Sequence, residues 1–248
     1  MARETGWLQQ PLRRVVRPLV HRLWDLEVTG LDNIPAVGPA LLAPNHLSFL
    51  DSPFTMSLMP RRTLAVGKAE YMDSWKTRHF FPATGMIPLD RSGGDASQVA
   101  LDAAATALER GDLFLIYPEG TRTRDGYLHK GKTGVARLAL RTGAPIIPIG
   151  LVGTDRIQPP DRTMPKLREK CGIHIGEPID VTRYRHRIDD RLVLRQITDE
   201  VMFEIGELSG QVYVDCYSGD PLPGDAPPID VRDPSPVPEP DAARAASA

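Results

Sequence analysis

Apolar positions along the chain fall into two alternating rhythms. Continuous apolar runs at residues 40–43, 63–67, 86–89, 113–117 and 146–152 have the length and boundaries of buried strands. Between them the spacing changes to that of one helix face, at residues 52–58, in an irregular stretch at 70–81, and at 96–110 and 134–141. The clearest helix is 96–110, where Val99, Ala103 and Ala107 share a face and Gly111 supplies a stop. A further strand at 172–175 and a closing helix over about 190–208 complete the pattern. Strands alternating with helices predict an α/β fold with a mainly parallel central sheet flanked by helices. In such sheets ligands bind beyond the carboxyl ends of the strands.

The two ends of the chain read differently. Residues 8–24 predict an N-terminal amphipathic helix. Leu8, Leu12, Val15, Val16, Leu19 and Leu23 fall on one side, with Arg13, Arg14, Arg17 and His21 on the other. Pro11 suits the first turn, whereas Pro18 is expected to kink the helix. Such a helix either docks on the core or lies on an anionic lipid surface. At the other end, eight prolines between Pro221 and Pro240 and a terminal Ala-rich stretch predict a disordered tail. The expected organisation is therefore a segment over 1–29, a domain over 30–214 and a tail over 215–248.

Composition narrows the class. A chain of 248 residues can bury a full core without staples. Its two cysteines, Cys171 and Cys216, do not make a disulfide framework and suggest a reducing compartment. Arg13, Arg14 and Arg17 interrupt the first twenty residues, so no secretory signal is expected. No apolar stretch reaches the roughly 18 residues of a spanning helix. The net charge of −2 is unevenly spread: seven acids against Arg232 and Arg244 from Asp215 onward give −5 there and +3 over residues 1–214. A mildly basic body suits an anionic substrate or surface and gives no reason to expect nucleic acid.

Two stretches carry candidate chemistry, and both follow strand runs. In Asn45-His46-Leu47-Ser48-Phe49-Leu50-Asp51 a histidine and an aspartate lie five positions apart across an expected strand-to-helix turn. An imidazole can take a proton from an alcohol near neutral pH, and an adjacent carboxylate fixes its tautomer and steadies the imidazolium. The same residues also read as a loop histidine beside an Asp51 or Ser52 that caps the helix, with Pro53 in its first turn. In Tyr117-Pro118-Glu119-Gly120-Thr121-Arg122, Gly120 permits a sharp turn, Thr121 and backbone N–H groups can donate to an anion, and Arg122 offers a fork suited to phosphate. Lys68, Arg91 and Arg124 also follow strand runs. Singly each is a surface cation, but four cations after three strands outline a phosphate cradle.

Residues 126–133 fit the phosphate-loop pattern G-x-x-x-x-G-K-[ST]. However, residues 118–125 separate Gly126 from the preceding strand, and Asp155 is a poor magnesium ligand. A basic loop leading into a helix is preferred to a nucleotide hydrolase, which stays as an alternative. The chain has no G-x-S-x-G elbow, no H-E-x-x-H and no zinc-type cysteine–histidine spacing. His21, His79, His129, His174 and His186 have no suitable partner by spacing.

The ordered set is more specific than its members. Asn45-His46-x-Ser48-x-x-Asp51, Gly85-Met86-Ile87-Pro88-Leu89-Asp90-Arg91, Tyr117-Pro118-Glu119-Gly120-Thr121-Arg122 and Ala144-Pro145-Ile146-Ile147-Pro148-Ile149-Gly150 resemble the four blocks of the glycerolipid acyltransferases, nearest to the 1-acylglycerol-3-phosphate acyltransferases. Tyr117 stands where phenylalanine is usual, and Thr123 where serine is frequent. The resemblance implies transfer of an acyl group from acyl-CoA or acyl carrier protein to a lysophospholipid acceptor, without metal, cofactor or acyl-enzyme. It makes His46 the general base and Asp51 its orienter. It places Lys68, Arg91, Glu119, Gly120, Thr121 and Arg122 on the acceptor phosphate, and Pro145 and Pro148 on the acyl-donor side. Glycerol 3-phosphate or another lysophospholipid is the alternative acceptor. The oxyanion needs donors, for which backbone N–H groups near the first block are candidates. A lipid acceptor also favours the interfacial reading of residues 8–24, and with it a peripheral enzyme on the cytoplasmic face of the membrane.

Overall fold

The computed structural model describes residues 5–68, 77–89, 96–159, 162 and 164–229. The chain runs α1 (Gln9–Leu23), β1 (Asp25–Thr29), β2 (Ala40–Pro44), α2 (Asp51–Leu58), β3 (Thr63–Lys68), α3 (Thr77–Ala83), β4 (Met86–Leu89) and α4 (Ala96–Glu109). It continues through β5 (Leu113–Leu115), β6 (Leu128–His129), α5 (Gly134–Thr142), β7 (Ile146–Val152), α6 (Thr154–Ile157), β8 (Lys170–Ile175), α7 (Arg191–Ser209) and β9 (Tyr213–Val214). Seven strands form the main sheet in the order β1-β8-β7-β2-β5-β3-β4, and β6 pairs with β9 apart from it. The fold is α/β and mostly parallel. The exception is the β7–β8 pair, which is antiparallel and so reverses β8 and β1.

Strand side chains alternate between two cores, which explains the unbroken apolar runs. Leu41, Phe114 and Ile146 face α4, α5 and α7. Leu42, Leu113, Leu115, Ile147, Ile149 and Leu151 face α1, α2 and α6. Helix α7 is the principal cover of the first core, burying Val193, Leu194, Ile197, Val201, Met202 and Ile205. Each such side chain contributes about 1.5–3 kcal/mol by leaving water. Asp190 caps its start by accepting from Leu192 N–H and Val193 N–H. Gly150 lets α7 approach β7 closely, because a methyl group there would lie 2.4 Å from the backbone carbon of Leu208.

Helix α1 continues through Pro18 and docks on the second core through Val16, Val20 and Leu23. Its apolar stripe is divided: Val15 and Leu19, expected on the same side, are 65% and 47% exposed. Gln9 is instead buried, its amide bonded to Thr63 N–H, Thr63 C=O and Thr84 C=O. Among the described residues no helix is long and apolar enough to cross a membrane. Residues 215–229 lie against the body: Tyr127 donates to the Pro227 carbonyl, and Lys130 N–H to that of Cys216. The rest of the expected tail lies outside the described residues.

Candidate active site

The central strand β2 ends at Pro44, and the next side chain extends its ladder. Asn45 Nδ2 donates to Leu151 C=O at 2.9 Å while Asn45 Oδ1 accepts from Leu151 N–H at 2.7 Å. The amide thus stands in for a peptide rung beside β7, and Asn45 Nδ2 also reaches Gln211 Oε1 at 2.6 Å. His46 leaves the sheet from this anchored position. Its Nδ1 lies 2.8 Å from Asp51 Oδ2, and that oxygen also accepts from Leu47 N–H (2.7 Å) and Ser48 N–H (2.8 Å). Asp51 is fully buried, whereas the His46 ring keeps 17% of its surface open. An oxygen that only accepts assigns the proton to Nδ1 and leaves the Nε2 lone pair free.

The sequence allowed Asp51 or Ser52 to cap α2, and neither does. Leu50 holds the cap position without a side-chain bond. The Asp51 carboxylate folds back onto residues 46–48, and Ser52 Oγ meets the Tyr117 hydroxyl at 2.7 Å. Among the first-block N–H groups, the expected oxyanion donors, several are already engaged. Those of His46, Leu47, Ser48, Leu50 and Asp51 are engaged by Glu119, Asp51, Asp51, Ser48 Oγ and Ser48 C=O respectively.

The third block wraps the histidine. The Tyr117 ring stacks on the His46 ring, centroids 3.8 Å apart and planes at 14°. Thr123 N–H donates to His46 C=O at 2.9 Å. The Glu119 carboxylate accepts from His46 N–H through one oxygen and from His129 N–H through the other, each at 3.2 Å. Burial pushes this carboxyl from the ordinary 4.5 up to about 8, against the opposing pull of the two N–H donors. Glu119 therefore faces inward. Glu119 was expected on the acceptor phosphate; here its two oxygens accept from the backbone N–H groups of His46 and His129.

Past Glu119 the chain turns outward. Gly120 takes φ +78, where a side chain is strained. Gly120 and Thr121 are exposed and Arg122 is half-buried. Lys132 lies over this turn: a methyl group on Gly120 would stand 3.1 Å from its Nζ, and its N–H donates to Pro118 C=O at 2.8 Å. The phosphate-loop pattern that singled out Lys132 is not a loop. Strand β6 interrupts it, and Tyr127, Leu128 and His129 within it are buried.

Lys68 closes β3. Through the shared partner Leu115, Ala65 is level with Leu42, so Lys68 is level with Asn45, two strands and roughly 10 Å away. The Lys68 side chain and all of Arg91 lie outside the described residues. The fourth block points elsewhere. Pro148 pairs with Ala43 inside the sheet, and Pro145, whose C=O accepts from Leu41 N–H, precedes β7 at its amino end. Pro145 is thus at the opposite end of β2 from His46, roughly 13 Å away along the strand before the loop begins. Among the described residues no group of three His, Cys, Asp or Glu side chains is arranged for a metal ion.

A histidine–aspartate pair thus stands at a strand end, next to a cationic turn, on a mostly parallel sheet. The sequence profile described as Acyltransferase matches residues 25–152, and the chain belongs to that family. It is 29% identical over 162 residues to a chloroplastic 1-acyl-sn-glycerol-3-phosphate acyltransferase of Arabidopsis thaliana, covering 61% of this chain and 45% of that protein. It is 33% identical over 125 residues to 1-acyl-sn-glycerol-3-phosphate acyltransferase alpha of Mus musculus, covering 50% and 44%. The chain thus spans under half the length of these curated relatives. The crystal structure of the 1-acyl-sn-glycerophosphate (LPA) acyltransferase PlsC from Thermotoga maritima superposes with a TM-score of 0.65 at 25% identity, over 81% of this chain and 79% of that one.

Proposed function

We propose that the protein transfers a fatty acyl group from an acyl thioester to the free hydroxyl of 1-acyl-glycerol 3-phosphate, forming phosphatidic acid. One observation carries this reading: the His46 Nδ1–Asp51 Oδ2 bond of 2.8 Å, which leaves Nε2 as a base at the open end of the sheet. Nε2 takes the hydroxyl proton as the oxygen attacks the thioester carbonyl, and the imidazolium that forms is held against Asp51. Collapse of the tetrahedral species expels a thiol of pKa about 8.5, to which the imidazolium returns the proton. The reaction needs no cofactor beyond the acyl-CoA or acyl carrier protein that brings the acyl group.

Arg122 and Lys132 flank the Gly120 turn and hold the acceptor phosphate, with Lys68 and Arg91 as further ligands and Thr121 as a donor. A phosphate fixed there holds the hydroxyl near Nε2, and such positioning lowers a barrier by several kcal/mol. The same cations accept the phosphate of glycerol 3-phosphate or of another lysophospholipid. The exposed Val15 and Leu19 beside Arg14 and Arg17 support α1 as an interfacial helix, and hence a peripheral enzyme at the cytoplasmic face.

The test is thiol release from a long-chain acyl-CoA with lysophosphatidic acid. Release should require the acceptor and fall by about 10²–10⁴ in His46→Ala. Equal release in that variant would refute the base assignment.

A further inference from the structure

The connection between α6 and β8 presents a second apolar edge beside the site. Met164 and Leu167 are 77% and 58% exposed, in a segment whose Lys166, Arg168 and Lys170 are also exposed. Isolated exposed apolar residues need no explanation. These two are held out by a fixed backbone. Arg168 is the one non-glycine residue at positive φ (62°) among the described residues, a conformation that persists only where neighbours hold it. The holding bonds are Arg168 N–H to Leu23 C=O (2.8 Å), Lys166 N–H to Ile157 C=O (2.7 Å) and Trp24 Nε1–H to Lys166 C=O (2.6 Å).

Two of those bonds come from the end of α1, so the segment adjoins the helix that exposes Val15 and Leu19. Earlier in the same connection, Gln158 meets the His46 loop, where Ser48 Oγ donates to Gln158 C=O at 3.1 Å. From these contacts we infer that residues 164–170 form a second membrane-contact element. Met164 and Leu167 enter the apolar layer of an anionic bilayer while Lys166, Arg168 and Lys170 sit among its head groups. Cations separated by apolar tips fit a charged surface over an apolar interior, and each adds about fivefold to affinity for anionic lipid. The inference deepens the interfacial reading of α1: two contacts, one on the helix and one at the loop, set the tilt of the domain on the bilayer.

The full chain is sedimented with phosphatidylglycerol-rich vesicles and with phosphatidylcholine vesicles. Met164→Asp with Leu167→Asp should weaken binding to the anionic vesicles by about tenfold or more, with an unchanged thermal midpoint. Affinity within twofold of the parent would overturn the proposal. Lys166→Gln with Arg168→Gly, which keeps the positive φ, should weaken binding to the anionic vesicles only; equal parental binding to both vesicle types would overturn the role of the cations. Leu167→Trp should shift its emission to the blue on the vesicles, and unmoved emission would place the loop in water. Sedimentation does not depend on acyl transfer. Loss of binding in a Val15→Asp, Leu19→Asp variant but not in the loop variant would leave α1 as the contact and refute the loop. Absent thiol release would refute the acyl-transfer reading alone.

Discussion

Replacing Glu119 with glutamine removes one ionisation from under the His46 loop with little change of shape. In the folded chain burial holds this carboxyl at about 8 against an ordinary 4.5. Between those values the folded protein keeps a proton that the unfolded chain releases. The proton favours folding on the acid side, and stability falls as pH rises toward 8. Each pH unit inside that window costs about 1.4 kcal/mol, so from pH 6 to pH 8 Glu119 removes roughly 2 kcal/mol. For a chain of this size that lowers the melting temperature by roughly 4–8 °C. Calorimetry of the parent and Glu119→Gln at both pH values isolates the effect, because every other group titrates in both proteins. Between pH 6 and pH 8 the parent should lose this much more stability than Glu119→Gln does. At pH 6 the substituted protein should be the less stable of the two, since one of two buried N–H groups loses its acceptor. Parallel pH profiles would refute the reasoning: the His46 and His129 N–H groups would then outweigh burial and keep the carboxylate charged.

Two further outcomes follow from the site. Tyr117→Phe keeps the stack on His46 and loses only the bond to Ser52, so kcat should fall by less than about fivefold. Tyr117→Ala unseats the ring and should cost about 10–100-fold in kcat with acceptor KM little changed; equal effects of the two changes would show that the hydroxyl, not the stack, matters. Arg122→Ala and Lys132→Ala should each raise acceptor KM by about tenfold or more. An unchanged KM for either removes that residue from the phosphate site.

The sheet was legible because its central strands are buried on both faces, so β2, β3, β5 and β7 read as continuous apolar runs. β1 was missed because none of its residues is fully buried and its pattern carries little apolar signal. The reversal of β8 was also hidden, since periodicity does not encode strand direction. The contact between His46 and Asp51 was readable from spacing and order. The inward turn of Glu119 was not, as residue type says nothing of which neighbour a carboxylate meets. Tyr117 stood out only as a departure from the usual phenylalanine, and its stack on His46 joins residues that sequence keeps far apart. Lys132 was noticed through a pattern that proved irrelevant, and its place over Gly120 depends on the end of β6 and the start of α5. Nothing in the sequence marked Gln9, because its bonds to Thr63 and Thr84 are contacts distant in sequence.

The bond between Asn45 and Gln211 joins residues 166 positions apart, and this has a consequence for synthesis. On the ribosome, β2 and the histidine loop emerge early, while the glutamine that completes the Asn45 clamp follows only after all of α7. A nascent chain can therefore carry His46, Asp51 and the Leu151 rung and still lack the glutamine that completes the Asn45 clamp. The clamp closes late in translation, once all of α7 has been made.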